Sequence, residues 1–188
     1  EFRRVLFRSG GTYDYGTAHT ITATANTGYT FSYWSLNGSS VSTSASYSVT
    51  MPDNDVTYTA VFTASTNTAY TVQHYKQNTS LDGYELADTD SKTGTTGATT
   101  AAATKSYTGF TAQSFNQGTI AADGSTVITI YYDRNTYTVS YQKGYYGSGS
   151  TVTDTKYYGV DLTLRSTASF TRTGYKIAGW STSTDGTS

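Results

Sequence analysis

The chain has 188 residues, a formal net charge of −1, 13% charged residues, no cysteine and a single proline. This composition excludes a disulfide framework and any thiolate metal centre, and it lacks the basic excess that nucleic-acid binding requires. No apolar run is long enough to cross a membrane as a helix, and an aromatic content of 15% excludes a disordered chain. Thr, Ser and Tyr dominate, and Thr, Tyr and Val suit a pleated, half-buried surface. The first expectation is a mostly β, extracellular protein.

Residues 1–9, EFRRVLFRS, differ from all that follows, with three arginines and a glutamate in one stretch. They match the forward translation of a common sequencing-adapter oligonucleotide. We therefore set them aside from fold reasoning and expect the natural chain to begin near Gly10, inside a longer protein.

From there the chain alternates. TITATA at 20–25 sets Ile21, Ala23 and Ala25 against threonines, a period of two that means one buried and one wet face. TGYTFSYW at 27–34 opens a pattern that returns as TGFTAQSF at 108–115 and TGYKIAGW at 173–180. In each, Thr-Gly precedes an aromatic residue, and a second aromatic follows five positions later. The pairs are Tyr29/Trp34, Phe110/Phe115 and Tyr175/Trp180. The glycine suits a turn with positive φ entering a strand. An odd offset puts the two rings on opposite faces of a flat strand, so either both faces are covered or a bulge re-aims the second ring.

Strand patterns also run through VTYTAVF at 56–62, TVQHYKQ at 71–77, TVITIYY at 126–132 and YTVSY at 137–141. Turn signals separate them at Asn37-Gly38, Pro52-Asp53, Asp82-Gly83, Asp123-Gly124 and Gly147-Ser148-Gly149. The best helix candidate is ATTAAATKS at 98–106, although threonine is a poor helix former. The recurrence divides the chain into three small modules, 10–64, 68–134 and 136–188, joined by short linkers. The first lacks an opening strand and the third a closing one, so both read as truncated. The expected cores are aromatic: Tyr29, Phe31, Trp34, Phe62, Phe110, Phe115, Tyr175 and Trp180.

These motifs resemble known families. YSVTMPDNDVTYTAVF (47–62) with GYTFSYWSLNG (28–38) resembles the divergent internalin-type B-repeat. TYTVSYQKG with DTKYYGVDLTL and TRTGYKIAGWST resembles the Listeria–Bacteroides internalin B-repeat. The middle stretch, TVQHYKQNTSLDGYELADTDSKTGTTGATT with GFTAQSF and STVITIYYDRN, is similar to the mucin-binding-protein (MucBP) repeat, with Phe115 where a Trp is expected. The resemblance implies a mainly β fold (α+β, β-grasp-like), with a sheet wrapping a short helix or loop, in tandem modules forming a string. It also implies a secreted or cell-wall-attached surface protein of Gram-positive bacteria, with no catalytic residues.

The residues offer little chemistry. His19 and His74 sit in separate strand-like runs and read as partly exposed, far short of the three or four clustered ligands a zinc site needs. Asp53/Asp55 and Asp88/Asp90 read as solvated turn residues. Once Glu1 is set aside, Glu85 is the one remaining glutamate, so no glutamate pair supports glycoside hydrolysis. We expect no catalytic residue, no metal and no cofactor. The sharpest binding candidates are the doublets Tyr145/Tyr146 and Tyr157/Tyr158. Neighbours on a strand face opposite ways, so one ring of each doublet should be exposed and free to stack on a sugar or anchor a partner. The expected function is an extracellular stalk or spacer of an adhesin. The alternative is a module binding mucin, glycan or a host surface protein.

Overall fold

The structure is a computed structural model that describes residues 13–165 and 170–182; the adapter-like segment 1–9 lies outside the described residues. Eleven strands and no helix occur among the described residues. In chain order they are β1 (Ala18–Thr22), β2 (Tyr29–Leu36), β3 (Ser39–Ser42), β4 (Ser46–Thr50), β5 (Tyr58–Ala64), β6 (Thr68–Gln77), β7 (Tyr84–Gly94), β8 (Phe110–Ala112), β9 (Val127–Arg134), β10 (Thr136–Tyr141) and β11 (Val152–Tyr157). They form four small sheets, ordered β1-β4, β3-β2-β5, β7-β6-β9-β8 and β10-β11. The fold is thus mainly β, as the composition implied. The chain separates into two compact units, Glu1–Gln73 with Thr89–Ala103 and Asn116–Thr129, and His74–Asp88 with Thr104–Phe115 and Ile130–Ser188.

In the first unit, β2 pairs antiparallel with β5, and the register slips between Phe31 and Tyr33. Phe31 faces Phe62, Tyr33 faces Val61 and Trp34 faces Ala60, so Ser32 is the extra residue of a bulge. The bulge answers the question left by the odd spacing. It turns Tyr29, Phe31 and Trp34 to the side that carries Ala64, Phe62 and Ala60. There Ala23, Trp34 and Ala60 are buried, with Ile21, Phe31, Tyr47, Tyr58 and Phe62 packed around them. Trp34 is 2% exposed, and its indole N–H donates to the Ala45 carbonyl at 3.3 Å. A buried ring of this size dominates so small a core.

The expected helix at 98–106 is absent. Ala98–Thr100 lies extended against Gly118–Ile120, with Thr100 N–H on the Gly118 carbonyl and Ile120 N–H on the Ala98 carbonyl. Ala101 N–H bonds the Tyr70 hydroxyl, and the Gln117 amide holds both the N–H and the carbonyl of Ala102. These partners outside the segment take the backbone groups that a helix would have paired internally, and threonine-rich sequence offers little resistance to that exchange.

In the second unit, His74 is fully buried rather than partly exposed. Its Nδ1 shares a 2.8 Å hydrogen bond with the Tyr132 hydroxyl, which also accepts the Lys105 N–H at 2.8 Å. Tyr107 stands edge-on to Tyr132 at 4.8 Å. Asp88 and Asp90 lie on β7 rather than in a turn, and Asp88 pairs with Lys105 at 2.8 Å. In the β10-β11 ribbon, Tyr141 is buried beneath Trp180, whose indole N–H donates to the Arg165 carbonyl at 2.6 Å. Tyr175, expected in the same core, is 66% exposed. The segment after its turn forms no described strand, so no sheet carries the ring inward.

Candidate functional site

The three Thr-Gly-aromatic motifs fold into one turn three times. Tyr29 N–H bonds the Asn26 carbonyl at 3.0 Å, Phe110 N–H the Tyr107 carbonyl at 3.0 Å, and Tyr175 N–H the Arg172 carbonyl at 3.1 Å. The third residue of each turn is the glycine, at φ 78°, 80° and 81° for Gly28, Gly109 and Gly174. A type II turn needs positive φ at that position, which is why glycine stands there.

Two of these turns do more than reverse the chain. Gly28 accepts at its carbonyl from Ser65 N–H at 2.8 Å, and the Ser65 carbonyl accepts from Thr96 N–H at 2.9 Å. Gly109 accepts from Asn135 N–H at 2.9 Å, and the Asn135 carbonyl accepts from Tyr158 N–H at 2.9 Å. Ser65 follows directly on β5, and Asn135 on β9. Thr96 lies just past β7, and Tyr158 just past β11. The same two-bond relay therefore ties the glycine turn, the residue leaving the last strand beside it, and the end of a hairpin further along the chain. It occurs once within each compact unit.

Packing at the relays is close. A Cβ on Gly28 would lie 2.7 Å from Ala122 Cβ and 2.8 Å from its backbone. A Cβ on Gly109 would fall 2.1 Å from the Tyr158 ring. Around Gly28, the buried Thr68 and Thr96 hydroxyls share a 2.7 Å bond, and a shallow cleft runs between Gly28, Ser65, Ala122 and Gly124. Around Gly109, Arg134 acts as a clasp. Its Nε donates to the Asn78 carbonyl at 3.0 Å, its Nη1 to the Tyr158 carbonyl at 2.7 Å, and its guanidinium lies 5.0 Å from the Phe110 ring. Phe110 meets Tyr158 edge-on at 6.1 Å. Gly174 has nothing within 4 Å of where its Cβ would be.

Of the tyrosine doublets, Tyr157/Tyr158 has one exposed ring, Tyr158 at 37%, whereas Tyr145/Tyr146 has two. Tyr145 and Tyr146 are both 75% exposed, because they form a turn rather than a strand, and their rings meet edge-on at 4.7 Å. Tyr157 ends β11 half-buried, and Tyr158 belongs to the relay just described. Of the expected core aromatics, Tyr29, Phe31, Phe62, Phe110, Phe115 and Trp180 are half-buried. A further tyrosine row joins three strands: Tyr131 packs against Tyr75 at 5.7 Å and Tyr84 at 4.8 Å. The alternation of buried Ile128, Ile130 and Tyr132 was the signal that turns Tyr131 outward. Beside it, Tyr84 donates to Asp133 at 2.5 Å and accepts from Gln113 at 2.8 Å. That bond to the carboxylate, with burial, pushes the Tyr84 phenol above its ordinary value. The groups are locked to one another rather than aimed at a reacting centre, and no group of three metal-ligating side chains occurs among the described residues.

A hairpin-built module closed by a glycine turn is the unit on which the known-protein comparisons bear. Residues 5–66 match the family model of the divergent InlB B-repeat domain. The InlB-type match begins within the nine residues set aside above and takes in β1 to β5, including the Gly28 turn and Ser65. It covers about a third of the chain and bears on that stretch alone. No curated protein and no solved structure matches the chain.

Proposed function

We propose that the chain is a repeat region of a bacterial cell-surface protein and serves as an extracellular stalk or spacer of an adhesin, without enzymatic activity. Likeness to the InlB B-repeat over the first module supports a surface-protein repeat. The observation that carries the mechanical role is the relay, present in the same form at Ser65 and at Asn135. A spacer must pass load and direction from one module to the next. Backbone bonds do this irrespective of side chain, and a glycine contact with no slack resists bending. On this reading the modules are 10–64, 68–134 and 136–188, and the relays are their joints.

The chain has no native cysteine, so spin labels can be placed at will. Ser48→Cys on β4 and Ser91→Cys on β7 lie on either side of the first joint, and both side chains are exposed. Pulsed electron-spin distance measurement on the doubly labelled chain should give one narrow distribution. A broad one would mean a loose tether and would overturn the spacer role.

A further inference from the structure

The Tyr145–Tyr146 turn and the Arg172–Tyr175 turn are brought side by side by Ser148 and Thr171, whose backbones exchange hydrogen bonds of 2.8 and 3.1 Å. The Arg172 guanidinium lies 3.8 Å from the Tyr175 ring centroid and 5.2 Å from that of Tyr146. Tyr145 and Tyr146 are each 75% exposed, and Tyr175 is 66% exposed. Among the described residues the Arg172 guanidinium contacts rings, and no carboxylate pairs with it.

Charge sharpens the picture. The segments 142–153 and 170–182 contain Lys143, Arg172 and Lys176 and not one Asp or Glu. This cationic ground stands out in a chain of net charge −1. Lys143 and Lys176 are both exposed. A guanidinium stacked on a ring is pre-organised, and its fork of N–H donors matches a carboxylate in bidentate fashion. The flanking rings stand in relief and offer flat apolar faces with polar tips. A pyranose ring presents a C–H face to such rings and its acid group to the fork.

We propose that this patch binds a carboxylate-bearing polysaccharide, a chain of uronic acid units with one carboxylate held by Arg172, while the exposed Lys143 and Lys176 add general attraction for its other charges. The site goes beyond the spacer role, because it would let one module of a stalk grip a polymer independently of whatever the stalk presents.

The test is calorimetric titration of the full chain with a galacturonic acid oligomer, with neutral galactan and poly-glutamate as comparators. Saturable binding is expected, weakened by added salt because the cations are exposed. Arg172→Ala should weaken it on the order of tenfold or more. Arg172→Lys should not restore it, since an ammonium lacks the planar fork, and Tyr175→Ala should weaken it at unchanged charge. Unaltered circular dichroism would show that these exposed substitutions leave the fold intact. Absence of binding would overturn the proposal, as would full retention in Arg172→Ala or Arg172→Lys. Equal binding of galactan would remove the carboxylate, and equal binding of poly-glutamate would remove the sugar.

Discussion

Tyr132 shows how one side chain can hold several elements. Its ring is 1% exposed on β9, while its hydroxyl meets the His74 imidazole of β6 and the Lys105 N–H of the loop before β8. A buried polar group left without a partner costs about 1–3 kcal/mol. Tyr132→Phe keeps the ring and removes the hydroxyl, so it should destabilise the chain by roughly 2–3 kcal/mol, read as a lower urea midpoint. An unchanged midpoint would mean that water replaces the hydroxyl. His74 itself was legible and was misread. Thr68, Tyr70, Val72 and His74 alternate along β6, and all four are buried. Period-two alternation therefore placed the imidazole inside, whereas the habit of treating histidine as a surface residue placed it outside. Tyr175 erred the other way, since an aromatic residue goes inward only where a sheet carries it.

For single elements, the glycine turns separate what local sequence can say from what it cannot. Their shape was readable, because positive φ after a threonine and before an aromatic residue is a local demand. What lies across from them was not, since Ala122 and Tyr158 are remote in sequence. Two substitutions separate these effects. Gly174→Ala meets open space and should cost only the left-handed backbone, about 1–2 kcal/mol. Gly109→Ala carries the same backbone cost and also drives a methyl group into the Tyr158 ring, an overpacking that adds about 1–3 kcal/mol. Chemical denaturation should rank Gly109→Ala clearly below Gly174→Ala; equal losses would mean that the Tyr158 contact yields freely. The bulge at Ser32 was foreseen only as one of two options, because spacing alone fixes which faces conflict and not how the strand resolves them.

At the scale of the whole molecule, the ion pairs Lys105–Asp88 at 2.8 Å and Arg165–Asp154 at 2.5 Å bear on the response to pH. The Arg165 hydrogen bonds hold the Asp154 carboxyl below its usual range, and the Ser125 side-chain and backbone bonds do the same for Asp123. Their contribution to stability is complete above the unfolded aspartate value of about 3.9 and is lost as pH falls through the lower folded values. The stability that Asp154→Asn and Asp123→Asn remove should therefore stay constant from neutral pH down to about 4 and shrink only below it, read as the difference in urea midpoint between the chain and the double variant. A difference that already shrinks at mildly acidic pH would mean that these hydrogen bonds do not hold the two carboxyls down. The β class, the recurring glycine turn and the positions of most strands were legible because alternation and turn chemistry are written locally. The helix at 98–106 was not excluded by sequence, because the side chains of Tyr70 and Gln117 that claim its backbone act through tertiary contact.

Ser65 and Asn135 each commit both backbone polar groups, one to the turn behind and one to the hairpin ahead. A residue bonded fore and aft in this way leaves no room for an added spacer, since any insertion there would unhook one side or the other. Duplication or deletion within the gene should therefore be tolerated in whole modules and penalised in fractions. If the chain is the spacer proposed above, its reach would change by discrete steps, each new copy bringing its own half of the next coupling.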